Sequence, residues 1–296
     1  MRRIDIRPAE QGTGNIQKVI LITGCSSGFG LLTAVRLAAQ GHFVWATMRD
    51  LSKKQFLENE LAKRNAQAVI RELDVTKPST IKNVIEEIQK THASIDVLIN
   101  NAGYGIGGFF EDLTQEEIRA QMEVNFFGVQ NVCREVIPLM RKRLQGKIIN
   151  ISSIAGRVAS PCLGAYNTSK WALEAFSESL YYELALFGIF VVLVEPGSYP
   201  TNIFTQNAHY AKNFDNTQSP YFSFSQKLKN ISQQSIRKFN RDPDEVARLI
   251  ENIVNNPRPR LRYVSDFSSW SRVTAQKILP PRLTSHIFRR IIHADK

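Results

Sequence analysis

Short apolar runs alternate with longer stretches of mixed polarity along residues 18–200. The runs fall at 19–22, 43–47, 68–73, 95–99, 147–151 and 189–194, and none alternates polar with apolar residues. That is the pattern of parallel strands covered on both faces, not of strands with one wet face. Between them lie stretches with helical spacing at 31–40, 51–64, 78–90 and 165–186, and one opening at Thr114-x-x-Glu117. Pro78 suits a first helical turn, and Thr114 with Glu117 is a capping-box signature. Strands separated by single helices make repeated βαβ units, so the fold expected is α/β, a doubly wound parallel sheet in one domain. A helix over 246–254 and an edge strand over 261–264 complete the pattern. Residues 202–235, rich in Asn, Gln, Ser and aromatics, have weak periodicity and read as a segment too long for an ordinary loop.

Composition adds limits. The 296 residues suit one large α/β domain or two small ones, and 43% hydrophobic with 22% charged residues excludes wholesale disorder. No linker, low-complexity tract or repeat divides the chain, so we read 1–17 as a polar extension, 18–265 as the domain and 266–296 as a basic C-terminal extension. The longest apolar stretch, 184–194, has eleven residues between Glu183 and Glu195. It is too short to cross a bilayer and reads as core. The N-terminus lacks the apolar centre of a secretory signal, so a cytoplasmic location is expected. Cys25, Cys133 and Cys162 form no pair with disulfide or zinc spacing, so neither a disulfide framework nor a metal site is expected.

The formal net charge is +11, and residues 236–296 alone hold thirteen basic against six acidic side chains. Without a nucleic-acid motif this reads as a solvated basic face, and no nucleic-acid partner is expected. Residues 270–292 are basic and partly amphipathic, which suits contact with an anionic membrane, but Pro280-Pro281 interrupts them. Helices packed on the domain are the preferred reading.

The chemistry begins where the first strand hands over to the first helix. Gly24, Gly28 and Gly30 are spaced G-x3-G-x-G after Thr23. Glycine allows a tight turn and lets a pyrophosphate approach bare backbone, while the helix N-terminus aims free N–H groups at the anion. No Lys-Ser/Thr follows, which disfavours a P-loop nucleotidase. Tyr166 and Lys170 are four residues apart, on one face of a helix. A phenol is a poor acid or base at neutral pH, and an ammonium nearby lowers its pKa. Ser153 stands at the end of the fifth run. Taken singly, these residues have plainer readings, as surface neighbours or a strand-end cap.

Taken together, the motifs resemble the short-chain dehydrogenase/reductase family of the compact single-domain type. Thr23 to Gly30 matches its T-G-x3-G-x-G, Asn101-Ala102-Gly103 its N-A-G and Tyr166-x3-Lys170 its Y-x3-K. Ser153 stands thirteen residues before Tyr166, Asn125 matches the family's helix asparagine, and Pro196-Gly197 with Thr201 match its P-G-x3-T. The resemblance runs from about residue 18 to 201. It implies a Rossmann fold with a helical lid over 202–235, and a tyrosine that gives or takes the proton while hydride moves. It also implies a lysine that binds the ribose and an asparagine, Asn125, that holds a water linking Lys170 to solvent. The cofactor-binding set it implies is Thr23, Gly24, Ser26, Ser27, Gly28, Phe29, Gly30, Arg49, Asp74, Val75, Asn101, Ala102, Gly103, Tyr166, Lys170, Pro196, Gly197 and Thr201.

An NAD site usually has an acidic residue at the end of the second strand. Here Met48 fills that place and Arg49 follows, with a guanidinium suited to a 2′-phosphate. NADP(H) is therefore expected, with NAD(H) the second choice, and Asp50 next door weakens the inference. Phe204, Tyr210, Phe214, Tyr221, Phe222 and Phe224 in the lid segment suggest an apolar alcohol or carbonyl substrate of lipid, retinoid or steroid size. The wording is closest to the hydroxysteroid and retinol dehydrogenase branches. The family also implies a homodimer or homotetramer. A dinucleotide-binding regulatory protein without turnover is the competing reading, and an intact Ser153, Tyr166 and Lys170 argues against it.

Overall fold

Burial on both sides explains why the apolar runs become strands in the computed structural model, which describes residues 17–200, 209–239, 241–280 and 282–283. The first half runs β1 (Val19–Ile22), α1 (Gly28–Ala39), β2 (Phe43–Met48), α2 (Lys54–Lys63), β3 (Val69–Glu72), α3 (Pro78–His92) and β4 (Val97–Asn100). A two-residue strand β5 (Ile106–Gly107) follows, then α4 (Gln115–Met122), a π turn over Glu123–Phe127, α5 (Gly128–Lys142), β6 (Gly146–Ile151), α6 (Gly164–Ala185) and β7 (Ile189–Glu195). The remainder is β8 (His209–Tyr210), α7 (Phe222–Phe239), α8 (Asp244–Asn255), β9 (Arg262–Val264) and α9 (Phe267–Ile278).

Seven strands form one parallel sheet in the order β3-β2-β1-β4-β6-β7-β9. The chain winds outward in both directions from β1, so the crevice of the switch point opens at the carboxyl ends of β1 and β4. Alternate strand residues feed opposite faces. Ile20, Ile22, Ile99, Ile149 and Val192 join α1, α2 and α8, whereas Leu21, Leu98, Ile148 and Val191 join α3, α5 and α6. Each fully buried side chain of this kind is worth about 1.5–3 kcal/mol, so the sheet is anchored along its whole width.

Polar groups lock the layers. Arg36 of α1 donates to both carboxylate oxygens of Asp244 and to Glu251 of α8. The buried Lys147 ammonium on β6 donates to the carbonyls of Ile253, Val254 and Asn256, satisfying the end of α8. The Asn100 amide donates to Asn150 at 2.8 Å, and Asn150 to Ser177 of α6 at 2.8 Å, a buried chain across three elements.

Two segments depart from the sequence reading. Residues 184–194 are not uniformly core: α6 ends there, Leu186 is 83% exposed at the turn, while Leu184 and most of β7 are buried. The lid segment is more ordered than its periodicity suggests. β8 pairs in parallel with β5, and α7 begins at Phe222 inside the span read as loop. Asp112 accepts from Ser219, Glu111 from Tyr221, and Phe109 stacks on the Tyr221 ring, so this segment is fastened to the chain just after β5. Phe214 is buried with Ile106, Leu113 and Ala165. After residue 266, α9 leans on the domain, with Asp266 capping its first turn and Ser269 against Gly197. No helix among the described residues is long and apolar enough to cross a membrane. The outer part of the N-terminal extension, Phe204 and the basic stretch from 284 onward lie outside the described residues.

The capping box at Thr114 is present, with the Glu117 N–H donating to the Thr114 hydroxyl at 3.2 Å and the Thr114 N–H to the Glu117 carboxylate at 2.8 Å. Thr114→Ala is expected to lower stability by about 1 kcal/mol. A urea titration with unchanged slope and a lower midpoint would record it.

Candidate active site

The glycine turn is built by its neighbours. The Thr23 hydroxyl accepts from the Asn101 and Ala102 N–H groups at 3.0 Å each, joining the ends of β1 and β4. The Asn101 amide donates to the Thr23 and Gly24 carbonyls at 2.9 Å. Gly24 and Gly28 have positive φ (75° and 59°), which glycine adopts without strain. Gly30 is needed for space, because a Cβ there would collide with the Asn101 amide and lie 2.5 Å from the Gly24 carbonyl oxygen. Cys25 is fully buried, and its N–H donates to the Thr47 carbonyl.

What this turn presents is a bare helix start. Ser27 is the N-cap residue of α1 but makes no side-chain cap, and no acidic residue stands in the first turn. Ser26, Ser27, Gly28 and Phe29 are partly accessible beside it. Uncapped N–H groups at the positive end of a helix dipole, approached through glycine, fit a pyrophosphate.

One pocket at the carboxyl edge of the sheet gathers Phe29, Asn101, Gly103, Ser153, Tyr166, Lys170, Pro196 and Gly197. Tyr166, Lys170 and Ser153 are all buried. Ser153, in the extended link after β6, accepts from the Ala155 N–H at 3.1 Å and hydrogen-bonds Tyr166. Lys170 donates to the Ile151 carbonyl at 2.8 Å, and its nitrogen stands 5.8 Å from the centre of the Tyr166 ring. Burial brings the Lys170 ammonium down to about 8, opposed by the carboxylate of Glu174.

Around Tyr166, burial acts against the acidity expected from Lys170. Burial raises the Tyr166 pKa above its ordinary value, and the opposing influence is the Ser153 hydrogen bond. Helical spacing puts the two side chains on one face, but the dielectric around them decides the sign.

Asn125 lies outside the pocket wall, buried in the π turn. Its amide donates to the Tyr104 carbonyl at 2.9 Å and the Ser169 hydroxyl at 3.0 Å, while its oxygen accepts from the Tyr104 N–H. It thus links α6 to the loop after Gly103. Arg49 is exposed just past β2, has no ion-pair partner among the described residues, and its charge reaches Asp50, Asp74 and Tyr104. Asp74 accepts from the Thr76 N–H and hydroxyl, and Val75 is buried against Gly128 of α5. Thr201 lies outside the described residues.

Four pocket residues were not foreseen: Tyr104, Ile151, Ser152 and Tyr199. Tyr104 follows Asn101-Ala102-Gly103 directly, and Tyr199 sits inside the Pro196-to-Thr201 stretch, so proximity to the motifs was an available signal. Tyr199 is fully buried and meets the Phe29 ring edge-on at 5.6 Å.

A doubly wound sheet with a bare helix start and a Ser, Tyr and Lys pocket at its carboxyl edge defines a nucleotide-dependent enzyme. The family model described as short chain dehydrogenase matches residues 18–211. The chain belongs to that family and is an oxidoreductase acting on CH–OH groups with a nicotinamide dinucleotide. A 3-ketodihydrosphingosine reductase of Bacteroides thetaiotaomicron is 41% identical over 245 residues, 83% of this chain and 86% of its relative. A solved short-chain dehydrogenase from Streptomyces avermitilis is similar with a TM-score of 0.77 and 31% identity, covering 93% of this chain and 97% of that one. An actinorhodin polyketide ketoreductase solved with NADPH gives a TM-score of 0.71 at 26% identity over 84% and 95% of the two chains.

Gly30→Ala is expected to displace the Asn101 amide and weaken dinucleotide binding about tenfold or more. A fluorescence titration with NADPH and NADH reads the loss.

Proposed function

We propose that this protein is an NADP(H)-dependent reductase of apolar carbonyl compounds, with Tyr166 as the general acid and base. The observation that carries the reading is the burial of Ser153, Tyr166 and Lys170 in one pocket at the sheet crevice. A nicotinamide dinucleotide, when bound, supplies or takes the hydride. The chain supplies the rest. Ser153 donates to the substrate oxygen, where negative charge develops in the transition state. Tyr166 gives its proton to that oxygen on reduction and takes one on oxidation. Lys170 refills the phenolate and binds the ribose hydroxyls. Asn125 holds Lys170 indirectly, through Ser169 and the loop at Tyr104.

Arg49 supports the NADP(H) preference, since an exposed guanidinium without a carboxylate partner among the described residues is available to a 2′-phosphate. Asp74 and Val75 belong to the adenine end in this reading, and Thr201 and Pro196 to the nicotinamide end. Phe29, Tyr104 and Tyr199 in the pocket support an apolar substrate, and similarity to a protein named 3-ketodihydrosphingosine reductase supports a ketone. We further propose a homodimer formed through exposed aromatics such as Trp171 and Tyr182 on α6, working in the cytoplasm.

A panel of ketones and aldehydes followed by nicotinamide absorbance tests the activity. Tyr166→Phe is expected to lower turnover by about a hundredfold or more while NADPH binding persists. A variant indistinguishable from the parent, or a parent that binds NADPH and turns nothing over, would favour a binding protein. Arg49→Asp is expected to raise the Kd for NADPH at least tenfold and that for NADH far less. Unchanged discrimination in the same titrations removes the NADP(H) assignment.

A further inference from the structure

Only the inner side of α9 meets the domain. Ser269 and Val273 are buried there, and a Cβ on Gly197 of the pocket rim would fall 2.0 Å from the Ser269 hydroxyl oxygen. The outer side is a different surface. Phe267, Trp270, Thr274 and Ile278 recur at i, i+3, i+7 and i+11, which puts them in one stripe along the helix. Phe267 is 79% exposed, Trp270 51% and Ile278 75%, and the Phe267 and Trp270 rings stack with centres 5.7 Å apart. Leu283, just beyond the helix, is exposed as well. Side chains this far out of the surface form a ridge and do not line a hollow. Single exposed apolar residues need no explanation, but a contiguous ridge with two aromatic rings does.

The charge around this ridge has one sign. Residues 257–283 carry Arg258, Arg260, Arg262, Arg272, Lys277 and Arg282 against one acid, Asp266. Asp266 is already engaged, accepting from the Ser269 N–H at 2.8 Å and pairing with Arg241. Beside the ridge a groove of about 440 Å³ has Trp270, Arg260 and Lys277 in its wall. Arg157 and Arg262 also line it, but Glu195 holds them at 3.0 and 3.4 Å. Arg258, Arg260, Lys277 and Arg282 are exposed and pair with no carboxylate among the described residues.

Ridge and cations together select the partner. A second copy of this chain, related by a twofold axis, would set these cations against themselves. A nucleic acid would satisfy the cations and leave Phe267 and Ile278 in water. An anionic bilayer surface satisfies both, because aromatic and branched side chains enter the acyl boundary while Lys and Arg stay at the level of the phosphates. We propose that α9 is a membrane-docking ridge, by which this protein binds the surface of bilayers rich in anionic lipid. The helix lies along the surface and does not span it. Docked in this way, α9 sets the Pro196–Gly197 rim of the pocket beside the lipid, so that an apolar substrate enters from the bilayer. That consequence rests on the catalytic reading above; the docking itself does not.

Cosedimentation of the full chain with vesicles tests the docking without substrate or cofactor. The protein is expected to bind vesicles of phosphatidylcholine mixed with phosphatidylglycerol at low salt, and to bind far less to pure phosphatidylcholine or at high salt. Phe267→Ser with Ile278→Ser, and separately Arg260→Glu with Lys277→Glu, are each expected to lower the apparent partition coefficient about tenfold or more while the urea midpoint stays unchanged. Brominated acyl chains are expected to quench tryptophan emission, and Trp270→Tyr to remove most of that quenching. Absence of binding to the anionic vesicles at low salt overturns the proposal, as does binding that neither pair of substitutions weakens. Loss with the charge reversals alone marks a polyanion site without an inserted ridge and rejects it too. A smaller oligomer in the Phe267→Ser, Ile278→Ser protein, sedimented without lipid, assigns the face to a second copy and rejects the membrane. A parent that binds vesicles but turns over no carbonyl compound leaves the docking standing and removes only the catalytic reading.

Discussion

The removal of one ammonium from water organises the carboxyl edge of this sheet. Lys170 is buried on α6 with the Ile151 carbonyl at the end of β6 as its acceptor, and every neighbouring element is shaped around that contact. A Cβ on Gly156 would lie 2.9 Å from the Lys170 carbonyl oxygen, and one on Gly103 would lie 3.2 Å from Asn125 Oδ1 and 3.8 Å from Lys170 Nζ. The π turn at Glu123–Phe127 places the Asn125 amide where it bonds both Ser169 and the Tyr104 carbonyl. π turns interrupt helices at functional sites for this kind of reason: one extra residue redirects a side chain that regular helix would point elsewhere. An ammonium in such a place needs compensation nearby, and the carboxylates on its far side supply it.

Much of this was legible before any coordinates. Continuous apolar runs specified strands buried on both faces, and each of the six runs, with 261–264, lies in the seven-stranded sheet within a residue or two. Thr114 and Glu117 announced their helix because the capping box is a local interaction carried by two side chains three residues apart. Ser153, Tyr166 and Lys170 were legible as a group only through their resemblance to the family's motifs, since taken singly they read as surface neighbours and a strand-end cap.

Three things were not legible, for different reasons. The lid helix α7 is rich in Ser, Gln and Lys, so its apolar spacing is diluted, and the β5–β8 pair that fastens the lid is only two residues long on each side. The direction of the Tyr166 shift depends on its burial. Adjacency in sequence reports distance, not dielectric. Glu195 looked like the boundary of an apolar stretch, and nothing local says that a residue next to four valines and leucines is a buried carboxylate with two arginines from distant segments.

The net charge of +11 follows the same logic. Read along the chain, the basic residues of the last fifth form a solvated face. In space several of them are paired, and some are partly buried. Arg241 pairs with Asp266 at the start of α9, the exposed Arg248 with Asp244, and Arg262 with three glutamates from α6 and β7. Two of those glutamates are buried where an unpaired anion would be unstable, so Arg157 and Arg262 are there because of them. The C-terminal segment thus completes the electrostatics of the sheet's carboxyl edge through β9, which contributes a single guanidinium, just as the first half of the chain contributes the bare helix start. What remains exposed, Arg258, Arg260 and Lys277 among it, is the only part of that excess available to a partner outside the domain among the described residues of β9, α9 and the loop before them.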